Sequence, residues 1–260
     1  MPELKSVYRH TSAFNEIEVT DLGFIRVLSF DGHRQSSMYL DSPFDTAFEY
    51  PSYFHIVLAI DPDASRALAI GLGGGTVVKR MWRDYRDMHV DAVEMDPDVV
   101  DVARRYFALP DDERIRVFVG EGRSFLESSR DDYDIVIVDA FDGDVIPAQL
   151  ADRGFMQTLR ARMSAGGAVA YNFMGALEGE ASGPFAKLHA TLSEAWRHVW
   201  VFAVDEGVED DDLTNLVLVS SDAPVTTDVL LRRIAGRVDG RVSVPAFHLF
   251  GNDLWRGETH

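Results

Sequence analysis

One run constrains this chain more than any other: Arg66-Ala67-Leu68-Ala69-Ile70-Gly71-Leu72-Gly73-Gly74-Gly75, followed by Val90-Asp91-Ala92-Val93-Glu94-Met95-Asp96. An apolar strand feeds a glycine turn, a helical stretch follows, and a second apolar strand ends on a carboxylate about 20 residues on. That is the spacing of a nucleotide-binding βαβ unit. Glycine serves such a turn because it tolerates positive φ and puts no Cβ between backbone and ligand. The run departs from the six-position dinucleotide fingerprint, since Thr76 stands where a third spaced glycine would lie. An adenosine-bearing cofactor is expected.

The flanking pattern extends this unit into a fold. Strands are expected at about 66–71, 89–94, 115–119 and 134–139, with helices at 75–86, 97–107 and 122–129 between them. Such alternation marks a parallel sheet covered by helices on both faces. A helix at 148–164, a strand at 168–172 and a helix at 182–196 follow. Two closing strands at 199–204 and 214–220 flank an acidic turn, Glu206 to Asp212. A closing antiparallel pair suits an α/β, Rossmann-like sheet of the class I S-adenosylmethionine methyltransferase type better than a dehydrogenase. Upstream, the stretches 16–19, 24–28 and 35–40, separated by Asp21-Leu22-Gly23 and Asp31-Gly32, predict a small antiparallel β sheet. Residues 41–53 read as a loop and 53–60 as a helix. The chain is therefore expected to divide into an N-terminal β domain, residues 1–60, and a cofactor-binding catalytic domain, residues 61–260.

Composition narrows the partners. With 43 acidic against 25 basic residues and a formal net charge of −18, the chain lacks the clustered cations that displace counterions from a phosphate backbone. A small-molecule acceptor is expected, and nucleic acid is not. The chain has no cysteine, and its eight histidines show no HxH or HExxH spacing, so no metal is expected. No run approaches the ~18 apolar residues of a membrane span, and the N-terminus has no apolar signal core. No membrane partner and a cytoplasmic location follow as expectations.

Candidate site residues cluster at predicted strand ends. Gly71, Gly73 and Gly75 shape the turn. Glu94 can accept both hydroxyls of a ribose. Asp96, ahead of Pro97, reads as a helix N-cap. Glu121-Gly122 has two readings, a contact to adenine or a helix start. Asp139, Asp142 and Asp144 place three carboxylates within six positions beyond a buried strand. Crowding anions is costly unless a cation or a proton transfer uses them. Asp139 is the candidate catalytic or orienting carboxylate, the other reading being a solvated strand end.

These residues resemble those of the spermidine synthases, the polyamine aminopropyltransferases, from residue 12 through the strand at 168–172. Leu28-Ser29-Phe30-Asp31-Gly32-His33-Arg34-Gln35 is similar to the family's LDG-x-x-Q hairpin, which implies that Gln35 contacts the nucleoside. By the same resemblance Glu94 binds ribose, Glu121 and Gly122 contact adenine, and Asp139 to Asp142 correspond to the DSSD motif. Tyr53 corresponds to the tyrosine of the family's Tyr-His/Gln-Glu triplet. The resemblance implies Asp139, Asp142 and Tyr53 as catalytic residues, with Tyr171 a further candidate for positioning the acceptor. It implies Gln35, Gly71, Gly73, Gly75, Glu94, Glu121, Gly122 and Asp139 as cofactor-binding residues, on a homodimer or homotetramer.

The departures fall where the chemistry lies. The family's GGGDGG loop stands here as Gly71-Leu72-Gly73-Gly74-Gly75-Thr76, with Gly74 in place of the aspartate that holds the amine of decarboxylated S-adenosylmethionine. Its loss removes a reason to exclude intact S-adenosylmethionine. The leading expectation is therefore a spermidine-synthase-like transferase that moves a methyl or other alkyl group from S-adenosylmethionine to a small acceptor. The alternatives are aminopropyl transfer from the decarboxylated donor to putrescine, a non-catalytic nucleoside-binding module, and nicotinamide-dependent oxidoreduction.

Overall fold

The computed structural model describes residues 4–141, 143, 145–204, 213–238, 242 and 244–257. Four strands come first: β1 (Leu4–Thr11), β2 (Glu16–Leu22), β3 (Ile25–Phe30) and β4 (His33–Tyr39), in a sheet of order β1-β2-β3-β4, every pair antiparallel. Asp31 and Gly32, at φ 49° and 85°, form the tight turn between β3 and β4, as the Asp-Gly pair predicts. Strand β1 was not anticipated; it lies mostly exposed at the sheet edge, without the alternation that betrays a half-buried strand.

The β3–β4 ladder contains an irregularity that matters for the site. Leu28 pairs with Ser36 and Ser29 with Arg34, leaving Gln35 as an extra residue. Such a bulge re-aims side chains. Here Arg34, Gln35 and Ser36 all line the central cavity, where a regular strand would turn alternate residues away.

Helical residues follow as α1 (Tyr50–Tyr53), a 3-10 turn (Phe54–Ile56) and α2 (Val57–Ile60), packed against the strands introduced next and nearly all buried. Then come β5 (Arg66–Ile70), α3 (Thr76–Asp84), β6 (His89–Glu94), α4 (Pro97–Tyr106), β7 (Ile115–Val119), α5 (Gly122–Ser128) and β8 (Tyr133–Val138). The chain continues through α6 (Arg153–Arg160), β9 (Met163–Gly175), α7 (Gly183–Ala195), β10 (His198–Ala203), β11 (Thr214–Ser221) and α8 (Thr227–Ala235). The large sheet has the order β10-β11-β9-β8-β5-β6-β7, parallel from β9 through β7, with β11 antiparallel to both neighbours. The predicted closing pair is thus present, and the fold is of the class I methyltransferase type. Strand order reverses between β5 and β8, the switch point outside which ligands sit in open α/β sheets.

Three expectations change in detail. The helix expected from Tyr53 begins at Tyr50, inside the stretch read as a loop, with Pro51 in its first turn. The helix expected at 148–164 is instead a 3-10 turn (Ala148–Leu150) and α6, which begins anew because Asp152 caps it by accepting from Phe155 N at 2.7 Å. Strand β9 starts at Met163 rather than 168, its Gly166 at φ 85° absorbed within the strand. The acidic turn 206–212 lies outside the described residues. Among those described, no helix is long and apolar enough to cross a membrane, and no group of three or more His, Asp or Glu is placed to hold a metal.

The small sheet is anchored by an apolar cluster of Ile17, Val19, Leu28 and Met38 against Val99, Val102 and Phe107 of the α4 region. Lys79 of α3 is fully buried beside it, donating to Phe107 O at 2.8 Å. Burial, with Arg83 nearby, pulls its ammonium down to about 7. An unfolded lysine titrates near 10.4, so between pH 7 and about 10 the unfolded chain binds a proton that the native state has shed. Stability therefore rises with pH across that window. Lys79→Met is expected to remove this rise and to add about 1–3 kcal/mol at neutral pH. Urea unfolding of both proteins at pH 7 and pH 10 checks it; parallel pH dependence would sink the assignment.

Candidate active site

The carboxyl ends of β5, β6 and β8 open into one cavity of about 1090 Å³, roofed by the small sheet and the loop at Phe14 and Asn15. Gly71 leaves β5 at φ 92°, and a Cβ there would stand 2.2 Å from the Asp139 carbonyl oxygen. Gly73 follows at φ 51°, with Ser36 Oγ where its Cβ would point. Ser36 Oγ in turn accepts Gly74 N at 2.9 Å, which ties the glycine turn to β4. Gly75 also has a positive φ, 71°, but it opens α3 under Leu109 and is not among the cavity-lining residues. The role the structure gives it is structural: the chain enters α3 here at a positive φ, and a Cβ would stand 2.9 Å from Leu109 Cδ1.

Glu94 closes β6 and lines the cavity. Its Oε2 accepts Leu72 N and its Oε1 accepts Asp96 N, both at 3.0 Å. Burial pushes its carboxyl above the usual range while these N–H groups pull the other way. Each oxygen keeps a lone pair for a hydroxyl donor, so the geometry suits a diol. Asp96 caps α4 as predicted, accepting Asp98 N at 2.9 Å, and Ser12 Oγ donates to it at 2.5 Å. Glu121 caps α5 through Arg123 N and Ser124 N, the helix-start reading, and with Gly122 it also lines the cavity. Burial would raise Glu121, but the N–H donors outweigh it and hold its carboxyl low.

Asp139, just past β8, is half-buried at the other side of the cavity. Asn172 Nδ2 donates to Oδ1 at 2.9 Å, and the Tyr50 hydroxyl donates to Oδ2 at 3.3 Å. Burial raises Asp139 to about 6 even though both donors favour its charge. Tyr50 is pushed well above its ordinary value by burial and by Asp139, which keeps its proton in place. Asn215 Nδ2 donates to Asn172 Oδ1 at 2.9 Å and orients that amide. Asp139 is therefore a carboxylate held from two sides at the switch point.

The structure brings together Gln35, Gly71, Gly73, Glu94, Glu121, Gly122 and Asp139 along one cavity. It places two tyrosines elsewhere. Tyr53 stacks on Phe250 with ring centroids 4.0 Å apart and donates to Asp253 Oδ2 at 2.8 Å, facing the C-terminal 3-10 helix (Phe247–Asp253). Three residues advance an α-helix by nearly one turn, and the earlier Tyr50, not Tyr53, faces Asp139. Tyr171, within β9, has its side chain buried and donates to Leu150 O at 3.0 Å. Asp142, with Asp144, lies outside the described residues. The reading from sequence missed Tyr50, Asn172 and Ser36. Pro51 after Tyr50 signals a helix start, and Asn172 sits at the carboxyl end of a predicted strand run, the position where such sheets place functional groups.

Strand order, switch-point cavity and glycine turn define a class I methyltransferase-type fold. A family model described as the spermine/spermidine synthase domain matches residues 50–172. A polyamine aminopropyltransferase of Chromobacterium violaceum is 30% identical over 174 residues, 66% of this chain and 67% of that protein. One from Vibrio vulnificus is 31% identical over 175 residues, 64% of this chain and 58% of that protein. In several such relatives the matched part is about half of their own length. A solved structure of a probable spermidine synthase from Corynebacterium glutamicum shares the fold, with TM-score 0.77 at 21% identity over 92% of this chain and 88% of that one. The chain belongs to the spermine/spermidine synthase family.

Proposed function

We propose that this protein is a spermidine-synthase-type aminopropyltransferase, moving an aminopropyl group from decarboxylated S-adenosylmethionine to a small amine. The observation that carries the reading is Asp139, held by Tyr50 and Asn172 in the same cavity as Glu94. The glycine turn packs against protein on the side where a Cβ would stand and leaves Gly71 and Gly73 backbone lining the cavity, which fits a nucleoside lying against backbone. Glu94 would hold the ribose, Glu121 and Gly122 the adenine, and Gln35 would close over the nucleoside from the small sheet. The bound donor supplies an electrophilic carbon beside a sulfonium sulfur. Asp139 orients the acceptor nitrogen toward that carbon and excludes non-productive poses, a proximity effect. The division at residue 60 belongs to this proposal, with the small sheet acting as the roof of the catalytic domain.

One observation favours a second donor, intact S-adenosylmethionine. A Cβ on Gly74 would meet Phe107 Cδ1 at 2.9 Å and Ser36 Cβ at 3.0 Å, so packed neighbours fill the place of the family's aspartate. No carboxylate stands there to repel a donor that keeps its own. Calorimetric titration with the two donors, followed by turnover with putrescine, separates the readings. Binding and turnover with the decarboxylated donor alone supports aminopropyl transfer. Preference for the intact donor redirects the assignment to methyl or aminocarboxypropyl transfer, and binding of neither overturns both.

A further inference from the structure

Thr76, which ends the glycine turn, has no role in the site as described above. The residue is 6% exposed, and its Oγ1 has no hydrogen-bond partner among the described residues. A buried hydroxyl left unsatisfied loses its hydrogen bond to water with nothing in return. Beside it lies a separate small cavity of about 10 Å³, bounded by Thr76, Gly71, Ser36, Tyr50 and Asp139, with Ala69 and Ile137 as apolar floor. That volume matches a single water, which persists only where two to four polar partners surround it. The residues that bound this cavity carry three hydroxyls, on Thr76, Tyr50 and Ser36, and the Asp139 carboxyl. Ser36 Oγ uses a lone pair on Gly74 N and still has its own proton to donate.

We propose that this cavity is a site for one ordered water that links Thr76 Oγ1 to Asp139, and that Thr76 is thereby a positioning residue for Asp139. The small cavity adjoins the large one, since Ser36, Tyr50, Gly71, Leu72 and Asp139 line both. The water is a third donor beside Asn172 and Tyr50, and donors to a carboxylate favour its charged form. The other ionisable groups in Asp139's surroundings, among the described residues, are Tyr50 from α1, and Glu49, Glu94, Asp96, Glu121 and Arg34 around the large cavity. None of them bounds the small cavity except Tyr50. The catalytic consequence rests on the proposed function, whereas the water site does not.

The test pairs Thr76→Val, which keeps the shape and removes the hydroxyl, with Thr76→Ser, which keeps the hydroxyl. A crystal structure of the parent protein is expected to show a water within hydrogen-bond distance of Thr76 Oγ1 and Asp139. Carboxyl-carbon NMR is expected to find Asp139 titrating about half a unit to one unit higher in Thr76→Val, a three- to tenfold change in proton affinity, and unshifted in Thr76→Ser. A parent structure with the cavity dry, or a direct Thr76–Asp139 contact, overturns the proposal even where the valine variant fails to fold. So does an Asp139 titration that is the same in all three proteins. Because titration and water occupancy are read without turnover, inactivity toward every donor would count against the proposed function alone.

Discussion

Asp139→Asn is expected to lower turnover with an amine acceptor by about 10²–10⁴-fold, while the glycine turn and Glu94 keep the nucleoside bound. The side chain is isosteric, so Asn172 Nδ2 retains its acceptor and Tyr50 its neighbour. What disappears is the carboxylate that accepts a hydrogen bond from the neutral attacking amine and can take its proton as the new C–N bond forms and the C–S bond breaks, releasing the thioether. In the parent, kcat/KM for the acceptor is expected to fall as pH drops through about 6, where Asp139 takes up a proton; the variant lacks that limb. The sign for stability is opposite. The native carboxyl titrates above the unfolded one, so between pH 4 and 6 the native state holds the extra proton and parent stability declines as pH rises. Above pH 6 the asparagine variant is therefore expected to be the more stable, by on the order of 2–3 kcal/mol. A stable variant with parental turnover would remove Asp139 from the chemistry.

Gly71→Ala is expected to have the largest effect on the donor side. Its Cβ would lie 2.2 Å from the carbonyl oxygen and 2.9 Å from the carbonyl carbon of Asp139, both backbone atoms. These strand ends cannot part freely, because Asp139 N donates to Ile70 O and Gly71 N to Val93 O, each at 2.9 Å. Neither a rotamer change nor a small side-chain shift relieves the clash, and φ of 92° adds strain for any L residue. A loss of about 2–4 kcal/mol in stability and at least about tenfold in donor affinity is expected. Denaturant unfolding and calorimetry read the two separately. Gly74→Ala makes an informative companion, since its clash falls on the Phe107 ring and Ser36 side chain, which have some freedom to move.

Much of this is legible in the sequence. The buried parallel strands β5, β6 and β8 write themselves as apolar runs, and their ends carry Gly71, Glu94 and Asp139. The Asp31-Gly32 turn and the caps at Asp96 and Glu121 are local rules that hold in the structure. Other features left no such trace. The bulge at Gln35 depends on how β4 registers against β3, and sequence alternation does not encode a one-residue insertion. The C-terminal aromatics were equally open, and packing decided them: Phe247 and Phe250 are buried by α8 and Tyr53.

The sequence by itself therefore determined the sheet, the glycine turn and the carboxylates at its strand ends, because periodicity, turn chemistry and strand-end position act over a few residues. Only the tertiary structure decided which groups meet at Asp139. Tyr50 lies 89 positions away and Asn172 lies 33, and strand order together with the seating of α1 on β11 sets whether they arrive. Tyr50 and Tyr53 are equally plausible as text. Nearly one helical turn separates a hydroxyl at the cavity from one locked against Asp253, and that choice is made by which partners the packing brings to each end of a short helix.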